Sequence, residues 1–130
     1  MFDHLSIGVA DLPKSLAFYD AALKPLGINR MFAMGDRGIA AYVDSDQVSF
    51  WLYSKDADQQ ELDKRLHLPR FHLAFKATDR TAVDASYQAA LAAGGTDAGA
   101  PGVRAQYHPN YYAAYIRDLN GYKIEVVCQK

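Results

Sequence analysis

Hydrophobic and polar residues alternate in several short stretches of the chain, and this two-residue period predicts β-strands. In residues 3–9 the aliphatic side chains share one face, whereas His4 lies on the other. Apolar residues then recur at helical spacing from Asp11, a predicted N-cap, to about Leu26. Three further strands are predicted, at residues 29–34, 39–43 and 48–53. The pattern therefore predicts a βαβββ module over about residues 1–54.

The same pattern restarts after a polar and charged stretch at about residues 55–68, which is predicted to be a linker. Residues 71–77 alternate as the first strand does, with His72 opposite the aliphatic face. Asp79 is then predicted to cap a helix that ends at Gly94 or Gly95. The second module is predicted to cover about residues 69–130.

The end of the second module predicts a β-hairpin. The strand-like residues 111–117 and 122–127 flank a turn, 118–121, whose Asp, Asn and Gly are typical turn residues. Strand alternation places Glu125 on the face opposite its aliphatic neighbours. Residues 96–109 are rich in Gly, Ala and Pro and are predicted to form a loop over a site.

The two modules are related by an internal repeat. A shift of 68 positions lays His4 on His72, and a slightly longer shift of 74 lays Trp51 on Glu125. Each module is too small for a core of its own. We therefore predict an α+β fold in which two βαβββ modules form paired curved sheets around a shared cleft, with the helices outside. Pseudo-two-fold symmetry would then bring His4 and His72 towards each other.

The candidate chemistry rests on His4, His72 and Glu125. Two imidazoles and a carboxylate that converge from three strands would form a metal site of the 2-His-1-carboxylate type, with open positions for water or substrate. Two plainer interpretations remain open. Glu125 could lie on a solvated sheet face, and the histidines could be hydrogen-bonded in a dry cleft.

Composition limits the classes of function. The 130 residues are enough for one domain, and 50% hydrophobic and 22% charged residues are ordinary for a globular protein. A net charge of -1 disfavours nucleic acid and anionic membranes as partners. No apolar run approaches the roughly 20 residues of a membrane span. The single cysteine, Cys128, and a start without signal-peptide features favour a cytoplasmic location.

Two motifs carry a resemblance to a known family. The first is HLSIGVADLPKSLAFY, from His4 to Tyr19, and the second is DLNGYKIE, from Asp118 to Glu125. They resemble the opening and closing motifs of the vicinal oxygen chelate superfamily, which includes glyoxalase I, extradiol dioxygenases, fosfomycin thiol transferases and metal-free bleomycin resistance proteins. The resemblance covers the whole chain and specifies the fold more closely than the reaction.

The resemblance implies a divalent metal, Fe, Mn, Zn or Ni, held by His4, His72 and Glu125. In glyoxalase-I-like members a further carboxylate completes the shell, but the repeat puts Trp51 there, and an indole cannot bind a metal. A partner chain could still supply that carboxylate. The three-ligand pattern is instead similar to that of the extradiol dioxygenases and fosfomycin thiol transferases.

Similarity to the extradiol signature implies that His108 and Tyr115 act as acid/base and hydrogen-bond donor. The signature is incomplete, because Ala114 and Leu119 depart from it. The aromatic residues Trp51, Tyr53 and Tyr111 are expected to line a pocket for a planar or apolar-bodied substrate, unless they are core residues.

Two functions therefore remain. One is a divalent-metal-dependent enzyme acting on a small substrate chelated through adjacent oxygens, with dioxygenase-like, thiol-transferase-like or glyoxalase-like chemistry. The other is a metal-free protein of the bleomycin-resistance type that binds or sequesters a small molecule. Because short modules leave apolar surface uncovered and relatives commonly pair, a homodimer is expected.

Overall fold

The fold consists of two four-stranded mixed sheets, each with a helix on one face. The computed structural model describes residues 2–54 and 71–130, so the predicted linker at residues 55–68 lies outside the described residues. The first module contains β1 (His4–Gly8), α1 (Leu12–Leu23), a short 3-10 helix (Lys24–Leu26), β2 (Asn29–Met34), β3 (Ile39–Val43) and β4 (Ser49–Tyr53). The second contains β5 (Leu73–Lys76), α2 (Arg80–Ala92), β6 (Thr96–Val103), β7 (Tyr112–Arg117) and β8 (Lys123–Cys128).

The two sheets have equivalent topology. Sheet A has the order β1-β4-β3-β2 and sheet B the order β5-β8-β7-β6, and in each the first strand is parallel to the last. Ser6 lies opposite Trp51 in sheet A, and Ala74 lies opposite Glu125 in sheet B. These two pairs are related by the shifts of 68 and 74 positions found in the sequence. The predicted α+β fold of two βαβββ modules, with curved sheets and the helices outside, is confirmed.

Both helices begin where the sequence predicts. The Asp11 carboxylate accepts a hydrogen bond from the Lys14 backbone N–H, and the Asp79 carboxylate accepts one from the Ala82 N–H. Each aspartate satisfies an N–H that has no partner inside its helix, which is the physical role of an N-cap. After the 3-10 helix, Gly27 adopts a positive φ of 74° and turns the chain into β2.

The helix face of each sheet contributes to one core that spans both modules. Phe50 of β4 contacts Phe75 of β5 edge to face, with ring centroids 5.3 Å apart. The helices also touch, and the Ser86 hydroxyl of α2 donates a 2.6 Å hydrogen bond to the Ala22 carbonyl of α1. The modules are therefore joined through their helix faces. We call the opposite face of each sheet its open face.

The hairpin turn between β7 and β8 fastens the second module to the first. The Tyr19 hydroxyl of α1 donates a 2.6 Å hydrogen bond to Asp118 Oδ2, and Asn120 Oδ1 accepts one from the Ala10 N–H. Burial raises the pKa of Asp118, and the hydrogen bond from Tyr19 opposes that rise. Gly121 completes the turn with a φ of 91°, a conformation that glycine adopts without steric cost.

One prediction about the fold was wrong. Residues 96–109 were expected to form a loop, but Thr96–Val103 forms strand β6, antiparallel to β7. Glycine and proline are depleted in strands, yet an edge strand tolerates them because one side of its backbone needs no partner. The ladder of β6 is also irregular, with register shifts on both sides of Gly99.

No helix in the described ranges 2–54 and 71–130 combines the length and the apolar character that crossing a membrane requires.

The contact between Tyr19 and Asp118 predicts a specific loss of stability. Tyr19→Phe removes a buried donor and leaves the Asp118 carboxylate short of one hydrogen bond. We expect the free energy of unfolding to fall by about 1–3 kcal/mol. Urea denaturation followed by circular dichroism measures it. Tyr53→Phe removes a hydroxyl from an exposed ring and should stay within about 0.5 kcal/mol of the unmodified protein. Equal stability of the two variants would contradict the assigned role of Tyr19.

Candidate functional site

The Glu125 carboxylate is buried on the open face of sheet B, where its residue is only 2% exposed. Its Oε2 lies 2.9 Å from His72 Nε2. Its Oε1 accepts hydrogen bonds from the Tyr111 and Tyr115 hydroxyls, at 2.6 and 3.1 Å. Glu125 therefore does not lie on a solvated sheet face, because three side chains surround and satisfy it.

Sheet register explains why these groups meet. Glu125 of β8 lies beside Tyr115 of β7, which lies beside Gly99 of β6. On the other side, Glu125 is next to Ala74 of β5, so His72 stands two residues before its neighbour. The corresponding row across sheet A is Ser6, Trp51, Ala41 and Phe32. The open face of sheet B thus carries the acidic and phenolic groups, and that of sheet A carries aromatic rings.

The two phenols are held as hydrogen-bond donors. Burial raises the pKa of Tyr115 to about 12, and the charge of Glu125 and the hydrogen bond to it add to the rise. Burial likewise raises the pKa of Tyr111, and so does its hydrogen bond to Glu125. Both hydroxyls therefore keep their protons at neutral pH, where they orient the carboxylate and leave Oε2 directed towards His72.

A cavity of about 340 Å³ opens beside this cluster. His72 and Tyr115 line it, together with the cationic side chains of Arg104 and Lys123. Tyr107 also borders the cavity, and its ring lies 5.2 Å from that of Tyr111. Glu125 does not line the cavity itself, but its partners His72 and Tyr115 do, so the buried carboxylate lies just behind the wall of a space that a small molecule can enter.

His4 does not join the cluster within one chain, contrary to the expectation from pseudo-symmetry. Its side chain is 58% exposed, and its Nδ1 lies 2.6 Å from Asp3 Oδ1. Among residues 2–54 and 71–130, no three His, Cys, Asp or Glu side chains are close enough to hold one metal ion. The physical reason is the packing of the modules through their helix faces, since His4 belongs to the open face of sheet A.

The other predicted site residues are divided between the two sheets. Tyr111 and Tyr115 contact Glu125, as described above. Trp51 and Tyr53 stack on the open face of sheet A, with ring centroids 6.2 Å apart. His108 lies in the turn before β7, where its Nδ1 accepts a 3.1 Å hydrogen bond from the Asn110 N–H. His108 is not among the residues that line the cavity.

A family model decides the membership of the chain. The model of the glyoxalase/bleomycin resistance protein/dioxygenase superfamily matches residues 1–126. The chain belongs to this superfamily. The predicted resemblance to vicinal oxygen chelate proteins is therefore confirmed.

Solved structures of the superfamily share the fold. A glyoxalase/bleomycin resistance protein from Albidiferax ferrireducens T118 is 32% identical, with 98% of each chain covered and a TM-score of 0.77. A glyoxalase/bleomycin resistance protein/dioxygenase family enzyme from Burkholderia phytofirmans PsJN is 19% identical, with 98% of each chain covered and a TM-score of 0.69. A glyoxalase-related enzyme from Fulvimarina pelagi is 18% identical, with 98% and 86% of the two chains covered and a TM-score of 0.69. The last two show the fold alone. No curated protein matches the chain.

Three residues of the site were not predicted from the sequence, namely Arg104, Tyr107 and Lys123. Arg104 and Tyr107 both lie within residues 96–109, the segment that was expected to be a loop. Lys123 lies two residues before Glu125 in the same strand, so alternation places both on one face. The sequence therefore contained a signal that Lys123 belongs to the site. For Arg104 no such signal existed, because its position depends on the irregular pairing of β6 with β7.

The raised pKa values predict how stability depends on pH. Unfolded tyrosines ionise near pH 10, whereas folded Tyr115 keeps its proton until about pH 12. The contribution of Tyr115 should therefore be fully present below about pH 10 and be lost as the pH rises through about 12. The free energy of unfolding of Tyr115→Phe should fall less steeply over this range than that of the unmodified protein. Urea denaturation at a series of pH values measures the slopes, and equal slopes would contradict the raised pKa.

Proposed function

We propose that the protein is a divalent-metal-dependent enzyme that acts on a small molecule offering oxygen atoms to the metal. The proposed ligands are His72 and Glu125 of one chain and His4 of a second copy. The observation that carries the proposal is the buried Glu125 carboxylate, with His72 Nε2 2.9 Å from its Oε2. A carboxylate is costly to bury, so this position needs a compensating role.

The donor set fits a divalent metal. A neutral imidazole and a carboxylate suit Fe, Mn, Zn or Ni, and ligand atoms about 2.1 Å from one ion lie roughly 3 Å apart when adjacent. The distance between His72 Nε2 and Glu125 Oε2 agrees with that value. The hydrogen bonds from Tyr111 and Tyr115 to Oε1 match the supporting contacts that orient metal-binding carboxylates.

A second copy of the chain is proposed to supply the missing ligand. The open face of sheet A carries His4 beside aromatic rings, and Phe32 packs against Trp51 with ring centroids 5.3 Å apart. Met34 and Tyr53 are exposed near these rings, so apolar surface remains to be covered. If this face packs against the open face of sheet B in a partner, His4 approaches His72 and Glu125. The proposed homodimer would thus complete the site.

The residues of the chain have distinct parts in the proposed reaction. When bound, the metal supplies Lewis-acid polarisation of a substrate oxygen. Tyr115 is protonated at neutral pH, and its hydroxyl can donate that proton or a hydrogen bond to a ligand in the cavity if the donor turns away from Glu125 Oε1. Tyr111 holds Glu125 Oε1 in place by its hydrogen bond, and the carboxylate is buried from water.

One observation favours the second function, a metal-free binding protein. The hydrogen bonds from His72, Tyr111 and Tyr115 already satisfy Glu125 without any metal. Metal analysis of protein purified without chelator distinguishes the two functions. Bound metal near one equivalent per chain supports the enzyme, and protein free of metal under these conditions supports the binding protein.

Metal content should distinguish the proposed ligands from the residue that supports them and from a control. His72→Ala and Glu125→Gln should lose the metal because each removes one of three ligands. His108→Ala should keep it and serves as the matched control. Tyr111→Phe should weaken metal affinity by about 10–100-fold through loss of the supporting hydrogen bond. Plasma mass spectrometry of the purified variants measures the metal, and full content in His72→Ala would remove that residue from the site.

A mixing experiment tests whether the site is shared between two chains. His4→Ala and Glu125→Gln homodimers should each lack metal. After the two are unfolded, mixed equally and refolded with metal, half of the dimers should contain both chains and one intact site each. About a quarter of the metal content of the unmodified protein should then return. A return of no metal, from variants that refold as dimers, would contradict a shared site.

A further inference from the structure

The cavity beside Glu125 carries two cationic side chains that no carboxylate of the described residues neutralises by an ion pair. Arg104 and Lys123 both line it, and both lie close to the Tyr115 ring. The Arg104 guanidinium carbon is 5.5 Å from the ring centroid, and Lys123 Nζ is 4.6 Å from it. Neither forms an ion pair with a carboxylate in the described part of the chain. The closest acidic group of the cluster, Glu125, is already bonded to His72 and two tyrosines.

The position of Arg104 is fixed before any ligand binds. Its Nη2 donates hydrogen bonds to the Ala100 and Ala113 carbonyls, at 2.6 and 3.3 Å. Its Nε is buried and has no hydrogen-bond partner among the described residues. The two hydrogen bonds from Nη2 hold the guanidinium at the cavity wall, where its charge is within reach of an anion in the cavity.

Gly99 provides the space that Arg104 and Tyr115 occupy. It adopts a φ of 152°, and a Cβ at this position would lie 3.0 Å from Tyr115 Cδ2 and 3.5 Å from Arg104 Nη2. A side chain here would force the Tyr115 ring to shift, whereas its contact with the guanidinium would be an ordinary van der Waals contact. The lack of a side chain at Gly99 therefore leaves room for the Tyr115 ring in the position where it lies beside the guanidinium.

The cavity also offers an aromatic surface. Tyr107 borders it and is 65% exposed, so its ring is accessible to a flat ligand. The volume of about 340 Å³ is at the small end of the range of roughly 300–1,000 Å³ that is typical of ligand sites. A compact planar body with a negative charge matches both features.

We propose that this cavity binds a small organic anion, a carboxylate on a planar apolar body, whose charge is offset by Arg104 and Lys123. The body lies against Tyr107 and Tyr115, beside the His72–Glu125 pair. That this anion is the substrate rests on the proposed metal-dependent function. The anion site itself does not require the metal.

Paired titrations of metal-free protein test the anion site. Benzoate and its neutral isostere benzamide are titrated separately at neutral pH, after treatment with chelator, and binding is followed by changes in amide NMR chemical shifts. Benzoate should bind at millimolar or lower concentration, and benzamide should bind at least about tenfold more weakly. Equal affinity for the two probes, or no binding of benzoate at these concentrations, would overturn the proposal.

Variants assign the charge recognition to residues. Lys123→Gln should weaken benzoate binding by about tenfold and leave benzamide binding unchanged, because only the charge is removed. Arg104→Gln should have the same effect, and circular dichroism checks that its fold is intact. Lys76→Gln, an exposed cation of β5 outside the cavity, is the matched control and should bind benzoate normally. Unchanged benzoate affinity in Lys123→Gln would refute the assigned role.

The outcomes separate this inference from the proposed function. Metal content is measured on the same preparations before chelation. Unmodified protein that holds metal but does not bind benzoate refutes the anion site alone. Protein that binds benzoate through Lys123 but never holds metal refutes the metal-dependent enzyme alone.

Discussion

The packing of both modules into one core through their helix faces is the constraint on which the rest of the structure depends. Phe50 and Phe75 meet in that core, and the Tyr19–Asp118 hydrogen bond fastens the hairpin of the second module to the helix of the first. Burial of this apolar surface supplies the main stabilisation available to so short a chain. It also fixes the direction of the open faces, so His4 cannot join His72 and Glu125 within the same chain.

The two repeated modules share one topology, but the residues on their open faces differ. Equivalent positions of the two sheets hold Trp51 and Glu125, and their neighbours on the next strand are Ala41 and Tyr115. On sheet A, large rings fill the open face. On sheet B, a glycine leaves space at the edge, and the carboxylate lies below two phenols. One face therefore has the character of a contact surface and the other that of a chemical site, which agrees with the proposed dimer.

The contacts of Glu125 explain how an ionisable group that is costly to bury can remain inside the structure. An unpaired carboxylate would be strongly destabilising at this depth, and the two phenols and the imidazole offset that cost. The same contacts fix the orientation of Oε2. Burial, together with the charge of Glu125, raises the pKa of Tyr115, so this phenol keeps its proton beside the cavity. Such coupling of a buried ionisable group to a cleft is typical of functional sites. Arg104 and Lys123 then give the cleft its charge preference.

The sequence by itself determined the βαβββ repeat, the caps at Asp11 and Asp79, and the face on which Glu125 lies. These features follow from local periodicity and hydrogen-bonding chemistry, which neighbouring residues decide. Only the tertiary structure decided that Thr96–Val103 is a strand, that Arg104 and Lys123 share a cavity, and that His4 lies apart from His72 and Glu125. Edge pairing and module packing depend on contacts between residues far apart in the chain. The alternation within one strand shows which side chains share a face, but it does not determine which other surface that face will contact.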